Sequence, residues 1–172
     1  MSGEILIVLR IAHIIAGTLW VGAAVSYFFF VEPTVKLLGG GGPKFMQGFM
    51  EKRRYPLYMN ISSAITIVAG ALLYWNTSGN LQSVWIQTRP GLGFTVGSII
   101  AILGYLIGFF MIRPRAQRLA KLGQTIGMAG GPPTPEQSAE MQMIDQQMKT
   151  VERVEVILLV IALLLMATAR YW

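Results

Sequence analysis

The chain has 172 residues, of which 53% are hydrophobic and only 13% charged, and its mean hydropathy is +0.54. That charged fraction is about half the usual quarter, which excludes an ordinary water-soluble domain and points to an integral membrane protein. There is no cysteine, hence no disulfide, no thiolate metal site and no cysteine nucleophile. The net charge of +6 reads as loop charge at a membrane face, not as a nucleic-acid surface.

Four apolar stretches of spanning length follow one another, at 5–31, 57–75, 92–112 and 154–170. The first is longer than a signal-peptide core, lacks a basic cluster before it and has no small-x-small site after Phe30, so it reads as a retained helix. Inside it stand Arg10 and His13, the single histidine of the chain. Ionisable groups within an apolar span mark a functional site by default. The following loop opens with Glu32-Pro33, which should end the helix. Beyond four glycines and Pro43, Phe45, Met46, Phe49 and Met50 recur at helical spacing, the pattern of a short interfacial helix. Pro56 opens span two, where Ser62, Ser63, Thr66, Ala69 and Gly70 are small enough for close helix approach in lipid. Tyr74, Trp75 and Trp85 suit an outer aromatic belt.

Span three is rich in glycine, and Gly104 with Gly108 forms a GxxxG packing signal. Pro114 should kink its exit into the basic amphipathic segment RAQRLAKLGQTI. Thr134-Pro135-Glu136-Gln137 then predicts a capping box with proline at the first helical position. No breaker follows, so helix four should start well before its apolar part, with Met141, Ile144, Met148 and Val151 as its apolar stripe. Segments 32–56 and 113–153 hold eleven of the fourteen basic residues, leaving Arg10, Arg89 and Arg170 toward the other side. The positive-inside rule puts both segments in the cytoplasm and both termini outside, in a bacterial inner (plasma) membrane. The expected fold is all-α, one domain over 1–172: a polytopic bundle of four transmembrane helices, with helices three and four extended into the cytoplasm.

His13 lies about 12 Å below the outer end of span one at helical rise, on one face with Gly17 and Trp20. An imidazole inside a helix bundle is a natural axial ligand for haem iron, and a glycine one turn on leaves room for a porphyrin. Arg10 and Arg170 share that outer layer and suit two propionates. The alternatives are a histidine hydrogen-bonded to a neighbouring hydroxyl and an arginine snorkelling to the interface. With one histidine, a second axial ligand within the chain would be methionine. Met166 is nearest in depth, whereas Met59 and Met111 lie toward the cytoplasmic face; five-coordinate iron or a partner's ligand is an equal alternative. The ten methionines are too scattered for a copper site, a hydrolase triad lacks a second histidine, and a channel lacks a mid-membrane acid.

On these residues the chain resembles a known family. LRIAHIIAGTLWVG is similar to the first helix of HemJ-type protoporphyrinogen oxidases, FMEKRRYPLY to the segment that leads into their second helix, and Glu152 in KTVERVEVILLVIALLL to a glutamate before their fourth. CopD-like four-helix membrane proteins share the histidine-tryptophan-glycine helix. The resemblance implies haem b on His13 and redox or electron-transfer chemistry, with Glu152, Arg53 and Tyr55 as catalytic candidates on the cytoplasmic side. The chain departs from the family in helix three, where Pro90-Gly-Leu-Gly-Phe94 stands in place of a lysine, and in having no asparagine before Glu152. Expected partners are the lipid bilayer and a homo-oligomer or larger membrane complex, with no nucleic acid. The rival reading is a cofactor-free accessory subunit of such a complex.

Overall fold

The proline expected to end the first helix, Pro33, lies inside it instead. In the computed structural model, which describes residues 1–172, the chain is helical throughout and has no strand. The first helix, α1, runs over Gly3–Leu37 and passes through Pro33. A proline inside a helix lacks its N–H and crowds the carbonyl four residues back. Immediately upstream the helix widens into a five-residue π segment, Tyr27–Val31, the kind of local bulge that absorbs such a misfit. Pro114 repeats the device: α5, Arg89–Ala129, widens over Gly108–Ile112 and continues unbroken. The short α2, Gly42–Gln47, also runs into a π segment, Gly48–Lys52. Arg54, in the left-handed region at φ 52°, then turns the chain into α3, Tyr55–Thr77. A single-turn α4, Ser83–Ile86, precedes α5, and α6 covers Pro135–Thr168.

The start of α6 is the capped one. Gln137 N donates to Thr134 Oγ1 at 3.2 Å, and Thr134 N donates back to Gln137 Oε1 at 2.9 Å. Its early apolar stripe packs inward, with Ile144 and Met148 buried, and Arg118 of α5 forms an ion pair with Glu140 at 2.6 Å.

The helices associate as two antiparallel pairs, α1 with α3 and α5 with α6. Glycines set the second pair. A Cβ on Gly93 would meet Ala169, on Gly97 Met166, on Gly104 Leu159 and on Gly108 Glu155, so one glycine row on α5 receives successive turns of α6. The GxxxG of Gly104 and Gly108 is half of that row. In lipid, where apolar side chains gain nothing by leaving the solvent, such close backbone approach is what holds helices together.

The two pairs meet along a seam. Trp20 and Ala24 of α1 form the core with Val156 and Leu159 of α6, and Tyr105 of α5 sets its ring edge-on to Trp20 at 6.3 Å. At the other end Tyr74 of α3 and Thr95 of α5 share a hydroxyl hydrogen bond of 2.6 Å.

Only 21 of the 172 residues are buried, and Ile7, Val8 and Ile14 are 60%, 64% and 63% exposed. An apolar surface of that extent is a lipid-facing surface. Three helices, α1, α3 and α5, are long and apolar enough to cross a membrane. The end of α6 is equally apolar from Val156 onward, but Glu152, Arg153 and Glu155 precede that stretch.

Candidate functional site

His13 faces α3. Its Nδ1 lies 2.8 Å from the backbone oxygen of Thr66. A carbonyl only accepts, so Nδ1 carries the proton and donates, and in the neutral ring Nε2 holds the free lone pair. Gly70 makes this possible: a Cβ there would lie 2.8 Å from the imidazole Cε1 and 3.0 Å from Nδ1. Without that atom the Nδ1–Cε1 edge of the ring closes on α3 and reaches the carbonyl one turn earlier. A histidine that donates one nitrogen to a backbone carbonyl is oriented and tautomerically set, which is how ligating imidazoles are held.

Haem binding demands such a nitrogen and also room for a macrocycle. The nitrogen fits. The room expected beside Gly17 does not come from that residue, because Thr66 Cγ2 already lies 3.4 Å from where its Cβ would be. The notch at Gly70 is filled by the imidazole itself. These glycines serve the contact of α1 with α3.

The other residues expected beside His13 are spread around it. Trp20, two turns on, enters the buried core with Ala24, Val156 and Leu159. Arg10 and Arg170 are exposed, and neither forms an ion pair. Met166 packs its Cγ over Gly97, in the other helix pair. Since Trp20 meets Leu159 and α1 and α6 run antiparallel, Met166 and His13 stand at similar height along the bundle. They belong to different interfaces nonetheless.

At the opposite end of the seam, the residues expected on the cytoplasmic side come together only in part. Tyr55 and Glu152 approach one another, but Arg53 and Arg54 are exposed, and neither pairs with Glu152. The ion pair anticipated there is absent because Arg54 takes the turn into α3 and both guanidinium groups leave the bundle. Lys36, whose charge acts on Glu152, is engaged elsewhere, at 2.8 Å from Glu32 and 3.2 Å from Asp145.

A second buried carboxyl, Glu155, lies one turn deeper on the same face of α6; the two residues are 6% and 8% exposed. Neither forms an ion pair, and no carboxyl oxygen of either is fully sealed without a partner. Glu155 Oε1 occupies the space over Gly108, 2.6 Å from where a Cβ would stand. Tyr27 and Tyr55 stack at 5.6 Å beside the two carboxyls, and Phe49 closes on Tyr55 at 4.5 Å. Each of the three π segments contributes to this place: Tyr27 from α1, Phe49 from the stretch after α2, Gly108 from α5. Glu155 was legible as a second acid three residues after Glu152 in an apolar run. Tyr27, Thr66 and Gly70 were not, since their roles depend on which helix packs on which. Comparison with family models, with curated proteins and with solved structures finds no match for this chain.

Proposed function

We propose that the chain is a four-span protein of a bacterial inner membrane that binds haem b through Nε2 of His13 and serves in electron transfer or a related redox step. The observation that carries this reading is the Nδ1–H bond to Thr66 O, which orients the ring and leaves Nε2 as its free donor. In this reading α6 makes the fourth span, the basic segments 32–56 and 113–153 face the cytoplasm, and both termini lie outside. Arg10 and Arg170, exposed at the outer end, would supply charge-assisted donors for two propionates; Met166 stands at the depth of His13 but packs over Gly97 in the other helix pair. Haem b held there would supply one-electron chemistry, its potential set by the axial ligands and by burial. The chain's own part is to hold the imidazole tautomer, fix its height and keep water from the outer half of the seam.

A second reading has its own observation. Gly17 and Gly70 are both filled by side chains of the α1–α3 contact, which suits a cofactor-free subunit that docks in a larger membrane complex. Visible spectra of protein purified from haem-replete cells separate the two. Haem binding predicts a Soret band that His13→Ala abolishes while the protein still folds. A colourless wild-type preparation that co-purifies with a fixed partner establishes the subunit reading and ends the first.

A further inference from the structure

The buried acids at the other end of the seam are independent of any haem at His13. A carboxyl group taken out of water is stable in one of two ways: ionised beside a cation, or neutral. Here the first way is closed. Lys36 bridges Glu32 and Asp145, Arg53 and Arg54 point outward, and no other basic group bonds either carboxyl. The groups that do face Glu152 are Tyr27, Glu32 and Lys36 from α1, Tyr55 from α3, and Asp145 on α6 itself. Glu155 lies beyond it, with Glu152, Tyr55 and the backbone at Gly108 as its neighbours.

The protein nonetheless makes room for these groups. A glycine and a widened turn of α5 sit where the Glu155 carboxyl lies, and two stacked tyrosines line the approach. A groove lined by Phe28, Phe29, Glu32, Pro33, Lys36 and Lys149 opens beside the Glu32–Lys36–Asp145 group.

We propose that Glu152 and Glu155 form a proton-binding site at the basic end of the seam between the two helix pairs, loaded from water by way of the Glu32–Lys36–Asp145 group. Glu152 exchanges the proton with the aqueous side, and Glu155 stands one turn deeper as the next acceptor. Loss of the proton leaves an uncompensated charge between α1 and α6, so proton occupancy and closure of the seam are linked. Burial, followed by the neighbouring Glu32 and Asp145 carboxylates, pushes Glu152 up to about 7, with Lys36 opposing.

Reaction with dicyclohexylcarbodiimide, an apolar reagent that attacks protonated carboxyls, tests this on the full chain in detergent or liposomes. Mass spectrometry should find the adduct on the peptide that carries Glu152 and Glu155 at neutral pH. Exposed Glu136 and Glu140 of the same helix serve as internal controls and should stay unmodified. Glu152→Gln should remove or sharply reduce the adduct, and the wild-type yield should fall about tenfold per pH unit once the proton is lost. Wild-type protein with no adduct at neutral pH, or with equal labelling of Glu136, overturns the proposal without any variant having to fold. Protection by sodium ions at constant pH overturns it too, because the site would then hold a metal cation and not a proton.

Discussion

Replacing Gly70 by alanine adds one methyl group where the imidazole of His13 lies. The new Cβ would stand 2.8 Å from Cε1 and 3.0 Å from Nδ1, closer than side-chain carbons tolerate. The ring cannot shift by several tenths of an ångström and keep its 2.8 Å bond to Thr66 O, because that bond and the clash involve the same atoms. Loss of the bond costs about 0.5–1.5 kcal/mol, and forcing a methyl into a packed contact about 1–3 kcal/mol. Alanine recovers up to about 1 kcal/mol through helix propensity. The net expectation is destabilisation of about 1–3 kcal/mol, measured by thermal or denaturant unfolding in detergent. Gly22→Ala is the matched control: nothing lies within 4 Å of a Cβ there, so it should be neutral or slightly stabilising. In the double variant with His13→Ala the clash partner is gone, and the two substitutions should be strongly non-additive. If Gly70→Ala is as stable as Gly22→Ala, or the cycle is additive, the imidazole does not lie on Gly70 and the reasoning about its free nitrogen fails with it.

Removing the Thr134 hydroxyl should cost about 1 kcal/mol and show first as faster amide exchange in the opening turn of α6, since the capping box acts on that turn alone. Glu152 predicts a pH dependence of definite sign. Its carboxyl is harder to ionise in the folded chain, so stability is greatest at low pH, falls as pH rises from about 4.5 through about 7, and is level above. The full change corresponds to about 3 kcal/mol. Glu152→Gln should match wild type at low pH and exceed it above neutrality; parallel unfolding curves for the two across that range would contradict the burial argument.

Much of the architecture was legible before any coordinates. Spans one to three, the capped start of α6 and its inward stripe were plain in the sequence because hydrophobic run length, capping chemistry and helical periodicity are local properties. Pro33 departs from expectation for a related reason. A local rule ends a helix near Pro33, but the helix continues past it, with a π segment just upstream. The glycine row was read as the single pair Gly104 and Gly108, since the remaining members acquire meaning only when α6 lies over them.

For the sites the division is sharper. Residue type singled out His13, because an ionisable group in apolar surroundings is costly wherever it points, and the family resemblance singled out Glu152. Only the tertiary structure decided what each one faces. His13 meets Thr66 and Gly70 of α3 because a ring can reach a carbonyl across a missing Cβ. Glu152 is joined by Glu155 and left without a cation because the arginines that are near in the bundle's plan turn outward. The sequence by itself thus determined where the apolar helices run and which ionisable groups stand among them. Their partners followed from helix pairing, a property of the whole chain that no single segment contains.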